Sequence, residues 1–116
     1  MKIVQQTIAS FGSPLWIESL EQAYGSALIA RWRHLNGRLQ ISTADAVRVC
    51  LSLSTGQQVR IAERDRSLST SVLAGDVIVL RPGIPSETTL EGDAEVVQIF
   101  IPPDSLGRAA SETLAA

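Results

Sequence analysis

The chain has 116 residues, 45% of them hydrophobic and 19% charged, a length and mix that support one hydrophobic core and exclude a disordered chain. Ten basic residues against twelve acidic ones give a formal charge of -2, and no window is markedly basic, so the concentrated positive face that displaces phosphate counterions on DNA is missing. One cysteine, Cys50, excludes an intramolecular disulfide, and the N-terminal MKIVQQTIASFGSP has no apolar stretch long enough for export or membrane insertion, which sets the expectation of a cytoplasmic protein.

Ser13 followed by Pro14 makes a good helix entry, because proline at the first helical position gives up no needed hydrogen bond. Leu15, Trp16, Leu20, Ala23 and Tyr24 then fall near helical spacing before Gly25, so a short amphipathic helix is expected within residues 13–25. From Ser26 the period changes to two, with Leu28, Ala30, Trp32 and His34 on one face and Ile29, Arg31 and Arg33 on the other. Asn36-Gly37 reads as a hairpin turn that returns a strand over residues 38–43.

The next strand alternates most clearly, with Val47, Val49, Leu51 and Leu53 facing one way and Arg48, Cys50 and Ser52 the other. Thr55-Gly56 turns the chain into a strand over residues 57–63, Arg64-Asp65-Arg66 is a polar turn, and residues 67–73 form a weak strand rich in serine and threonine. Gly75-Asp76 is a tight turn, the apolar run from Val77 to Leu80 is too short for a helix, and Pro82-Gly83 with Pro85 breaks it. Residues 87–90 lead to a turn at Gly92-Asp93, and residues 94–101 make the last strand. Many short strands with regular turns imply an antiparallel barrel or sandwich.

Pro102-Pro103 ends the sheet, Asp104 is a helix N-cap, and Leu106, Ala109, Ala110 and Leu114 lie along one side of a C-terminal helix over residues 103–116. That side has too few large residues to bury itself alone, so it is expected to pack on the barrel or on a second subunit, and a homodimer is the expectation.

The layout from Gly75 to Ser86 is similar to the second motif of cupins, in which glycine, five residues, proline, any residue and glycine lead to a metal-binding histidine three positions later. Here Arg81 stands at the proline position, Pro82 follows it, Gly83 matches, and Ser86 occupies the histidine position. Over residues 16–108 the segments GSALIARWRHLNGRLQIS, VCLSLSTGQQVRI and DAEVVQIFIPPDSLGR resemble the N-terminal ligand-binding domain of AraC-type bacterial transcription regulators. The resemblance implies an all-β, cupin-like antiparallel barrel of jelly-roll type, as a single domain over residues 1–116 with the barrel at 26–102. It also implies a small-molecule effector, and DNA contact only through a helix-turn-helix region outside this chain.

Catalytic and metal constellations are limited by count. A metal-dependent cupin needs two or three histidines with a carboxylate, and His34 is the only histidine, so no metal and no cofactor are expected. His34 reads as a satisfied strand-end residue. An epimerase-like set would have to join it to Asp45 and Tyr24, although Tyr24 falls in the expected helix. Arg48 shares a strand face with Cys50 and would favour its thiolate, but a buried thiol more often packs as a small hydrophobe. Arg31, Arg33 and Arg38 read as solvated charges rather than a basic stripe.

What remains is a pocket. Small barrels hold ligands in the interior, mainly with apolar walls and a few aimed polar groups. Trp32, Cys50, Ser52, Gln98 and Phe100 are the candidate ligand-binding residues, Gln98 because a central strand rarely accepts an amide without a partner. The expectation is therefore a sensor and dimerisation domain that is not an enzyme. The alternatives are a stand-alone cupin that binds a metabolite or acts as a metal-independent enzyme, and a structural dimerisation module.

Overall fold

The computed structural model describes residues 1–22, 25–41, 45–105 and 107. One helix, α1 (Lys2–Phe11), precedes seven strands: β1 (Trp16–Gln22), β2 (Gly25–Ile41), β3 (Val47–Ser52), β4 (Gln58–Glu63), β5 (Arg66–Ser71), β6 (Val77–Leu80) and β7 (Ser86–Ile101). All pairings are antiparallel. The all-β expectation holds, with one short N-terminal helix, though not at the expected place.

Two long strands organise the sheets. β2 and β7 pair with each other along both their halves, from Leu28↔Phe100 at one end to Ile41↔Ser86 at the other. The C-terminal half of β7 also pairs with β3, which carries β6 on its far side, and β1 pairs with β2. The N-terminal half of β7 pairs instead with β4, which carries β5. Strands that pass from one sheet into another through bulges are how such sheets turn corners and enclose a core. The register shifts between Trp32 and Gly37 mark that corner.

This corner corrects the expected hairpin at Asn36-Gly37. A two-residue type I′ turn needs positive φ at both central residues. Among non-glycine residues positive φ is found at His34 (57°), not at Asn36, so the chain bulges at His34 and β2 runs on. The expected turn at Gly92-Asp93 is likewise a bend inside β7.

The expected helix at residues 13–25 is also corrected. Trp16 to Gln22 is an edge strand whose partners run from Arg31 to Gly25, and the N–H of Leu15 donates to the carbonyl of Arg31 at 2.7 Å. Helical spacing in this segment yields to the free edge of β2, which offers partners to the backbone groups of alternate residues. Residues 23 and 24 lie outside the described residues, as does most of the expected C-terminal helix. Its first turn is described at 103–105, where the N–H of Ser105 donates to the carbonyl of Pro102 at 3.1 Å.

Gly25 is tied to that step. It has φ of 132°, and a Cβ built there would run into Ser105 Oγ and lie 3.0 Å from Ser105 Cβ. Gly25→Ala combines a disfavoured backbone with this clash and is expected to cost about 1–3 kcal/mol in urea unfolding.

The helix that does form has its own signal: Ile3, Val4, Thr7, Ile8 and Phe11 recur at helical spacing, and Ile3, Val4 and Thr7 are buried. Its start is fixed from a distance, where the Asp45 carboxylate accepts the N–H groups of Lys2 (2.8 Å) and Ile3 (3.1 Å). An acidic group there satisfies orphan donors and complements the helix dipole. Burial acts to raise the pKa of Asp45, but these N–H groups outweigh it and hold the pKa below its ordinary value. Among the described residues no helix is long and apolar enough to cross a membrane.

Candidate functional site

Pairing fixes which side chains look inward, because partners across an antiparallel ladder share a face. One row joins Ala30, Gln98, Cys50 and Ile78, and the next joins Phe100, Arg48 and Leu80. These residues are buried or partly buried, whereas Val77 and Val79 on the opposite face are 57% and 60% exposed. The first sheet thus turns the polar parity of β3 into the interior and leaves the apolar parity, Val47, Val49 and Leu51, outside.

Between the sheets lies a cavity of about 60 Å³. Its walls are mostly aliphatic, with Leu39, Val59, Ile61 and Leu90 from the second sheet, Ile78, Leu80 and Val96 from the first, and Phe11 from the end of α1. The polar groups are Arg48, Cys50, Ser52, Gln57, Asp76, Thr88 and Gln98. Three of the five expected ligand residues, Cys50, Ser52 and Gln98, are therefore brought together.

Trp32 and Phe100 do not line the cavity. They pack edge to face with centroids 6.4 Å apart, and the Trp32 indole N–H donates to the Gly12 carbonyl at 2.9 Å. With 1% and 0% exposure they belong to the core, where an indole commonly finds one backbone acceptor.

Arg48 is the residue that sequence reasoning passed over as a pocket group. It is 2% exposed, and among the described residues its side chain makes one hydrogen bond, a 3.3 Å donation to Ser86 Oγ. Its Nε finds no acceptor among the described residues, nor does Gln98 Oε1 find a donor. Burial lowers the pKa of Arg48, while Cys50 and Glu63 act to raise it. The Glu63 carboxylate is already engaged by Arg66 at 3.4 Å and Arg81 at 3.2 Å, so it gives Arg48 no direct partner. Parity was the available signal: Arg48 has the same strand parity as Cys50 and Ser52.

Burial pushes the Cys50 thiol up to about 11, with Arg48 opposing only in part. The thiol is neutral at physiological pH and fills space. Above pH 9.0 the unfolded chain releases this proton while the folded chain keeps it, so the folded state binds more protons and stability falls as pH rises toward 11. The wild type is expected to lose about 1.4 kcal/mol per pH unit in that window relative to Cys50→Ala, read from urea midpoints.

The remaining candidates sit apart. His34 is on the bulge and exposed, with Nδ1 2.8 Å from Asp93 Oδ1. Asp45 serves α1 and Tyr24 lies outside the described residues, so the epimerase-like set is not assembled. Arg31 and Arg33 converge on Glu95, and Arg38 pairs with Glu87 at 2.9 Å. Hydrogen bonds from Arg33 and Arg31 lower the pKa of Glu95, and those from Gln40 and Arg38 lower that of Glu87. Neutralised charges of this kind form no basic stripe. Among the described residues no three His, Cys, Asp or Glu side chains gather in a group able to hold a metal ion.

No protein-family model matches the chain, and no curated protein matches it either. Solved structures do. One is a cupin-2 domain containing protein from Shewanella frigidimarina, 16% identical, with a TM-score of 0.54 over 77% of this chain and 82% of that one. Another is a putative ethanolamine utilization protein from Salmonella typhimurium, 13% identical, with a TM-score of 0.50 over 74% of this chain and 68% of that one. A third is the epoxidase HppE, 10% identical, with a TM-score of 0.50 over 74% of this chain and 52% of that one. The expectation that the chain is not an enzyme is corrected here, because the same fold includes an epoxidase and gives no ground for it.

Proposed function

We propose that this cupin-like domain is the effector-sensing and dimerisation part of an AraC-type transcription regulator, acting in the cytoplasm and reaching DNA only through a separate helix-turn-helix region. The observation that carries the sensing role is the cavity between the sheets, whose aliphatic walls surround Arg48 Nε and Gln98 Oε1, two atoms without a partner among the described residues. A filled structural barrel would gain stability by replacing both with aliphatic side chains, since buried polar atoms without partners are costly. Ser86, at the position of the motif's histidine, touches Arg48, and a guanidinium there repels any cation. The resemblance over residues 16–108 supports the regulator role.

Dimerisation is supported by the outer face of the first sheet. One row joins Ile29, Ile99, Val49 and Val79, and the next joins Val97, Leu51 and Val77, without a charge on β7, β3 or β6 in either row. The rows reach charges at Arg31 and Glu18 toward β1, but the uncharged apolar part on β7, β3 and β6 favours another such part, and the same part of a second copy is present at equal concentration. Val79→Glu, at a position 60% exposed, is expected to leave the fold intact and convert a dimer to a monomer in light scattering.

Effector sensing needs a ligand whose affinity differs between two states of the domain. A thermal-shift screen with sugars, small carboxylates, aromatic acids and small amines tests it. At least one class is expected to raise the melting temperature, by an amount that grows with the logarithm of ligand concentration once it exceeds Kd. No shift from any class would favour the structural module instead.

A further inference from the structure

Resting on the reading of the barrel as a ligand site, we propose that its occupant is a short 2-hydroxycarboxylate, with the carboxylate on Arg48 and the hydroxyl on Gln98. The cavity holds two orphaned polar groups of opposite kind: the Nε–H of Arg48 can only donate, and Oε1 of Gln98 can only accept. Arg48 is 2% exposed and Gln98 6% exposed, so neither is satisfied by bulk solvent.

Their placement is fixed by the sheet. Arg48 pairs with Phe100 and Cys50 pairs with Gln98, which makes Arg48 and Gln98 diagonal neighbours on one inward face. Diagonal positions lie about 7–8 Å apart at the backbone, within reach of one small molecule held between two long side chains. Such a molecule must offer an anionic acceptor to the guanidinium and a donor to the amide oxygen.

Charge selects the anion. No carboxylate lies within ion-pair distance of Arg48 among the described residues: Glu63 is held by Arg66 and Arg81, and Asp76, which also lines the cavity, accepts the N–H of Leu73 at 2.9 Å. Cys50, beside Arg48, is a neutral thiol. A buried guanidinium without a counter-charge is an incomplete ion pair, and Arg is well suited to bind a planar carboxylate through parallel N–H donors.

Size selects the length. A cavity of about 60 Å³ has room for about five water-sized atoms, at about 10–15 Å³ each. Glycolate and lactate fit within that space. The aliphatic wall formed by Leu80, Ile78 and Val96 accepts the short carbon skeleton.

Calorimetric titration of the full chain with sodium glycolate, lactate, acetate, ethylene glycol and glucose is the test. Glycolate or lactate is expected to bind, and acetate, which lacks the hydroxyl, about tenfold more weakly. Ethylene glycol, which lacks the charge, is expected not to bind. Arg48→Met should lose glycolate binding at least a hundredfold while its melting curve stays cooperative, and Gln98→Leu should bring glycolate down to the acetate level without weakening acetate. Arg48→Lys, which keeps the charge, provides a second variant should Arg48→Met not fold.

Equal binding of ethylene glycol and glycolate, or unchanged glycolate binding by both Arg48 variants, would overturn the assignment. If glucose binds and no carboxylate does, the ligand class is wrong and the sensor reading stands. If none of the five binds and the thermal-shift classes are silent as well, both fall.

Discussion

Trp32→Ala is expected to lower stability by about 3–5 kcal/mol, which places the variant near the edge of folding. Trp32 is the largest of the fully buried side chains, and its ring fills the space between Phe100 and the segment that follows α1. Its indole N–H also holds the Gly12 carbonyl, so the mutation empties a volume and orphans a backbone acceptor. Trp32→Phe separates the two effects: it keeps most of the ring, loses the hydrogen bond, and is expected to cost about 1–2 kcal/mol from the orphaned carbonyl. Urea unfolding of the three proteins checks both figures. A loss below 1 kcal/mol for Trp32→Ala would mean that α1 and the first sheet do not share one core.

Arg48→Met is expected to do the opposite and raise the stability of the ligand-free protein by about 1–4 kcal/mol. A guanidinium 2% exposed, with one long hydrogen bond and an unpartnered Nε, has lost its hydration without gaining an ion pair. Methionine keeps the stem volume and removes the charge. The increase should be about equal at low and high salt, since a buried group is poorly screened. A destabilised Arg48→Met would show that Glu63, Ser86 and the cavity already compensate the charge. A residue that weakens the empty protein but is needed for binding is the trade-off expected of a site kept for function.

Period-two patterning made most of the fold legible in the sequence. β3, β4 and β6 lie where alternation and turn residues put them, because one face of each strand is buried and parity is then unambiguous. The failures share a cause: they are segments whose state is decided by partners distant in sequence. Residues 16–22 have spacing that suits a helix, but the open edge of β2 recruits them as β1. Asn36-Gly37 has hairpin chemistry, yet β7 pairs with β2 on both sides of it and holds the strand continuous. α1 carries only a faint local signal, the helical spacing of Ile3, Val4, Thr7 and Ile8, and its cap, Asp45, lies over forty residues away.

The site was legible in part for the same reason. Cys50, Ser52 and Gln98 are legible because each shares its strand face with residues that break the apolar run, and pairing aligns them on one inward face. Trp32 and Phe100 satisfy the same criterion but pack on each other, which only tertiary contact reveals. Arg48 was assigned to the right strand face, but the usual exposure of arginine argued against placing it inside.

On the proposed function, a small molecule binds at the polar inward face of β3 and β7. The most direct measurement is a set of ¹H–¹⁵N NMR spectra that include the Arg48 Nε–H and the Gln98 side-chain amide, recorded as sodium glycolate is added. The predicted result is a saturable shift of these two signals ahead of the others, absent in Arg48→Met. Signals at Arg48 and Gln98 that stay fixed at saturating glycolate would contradict it.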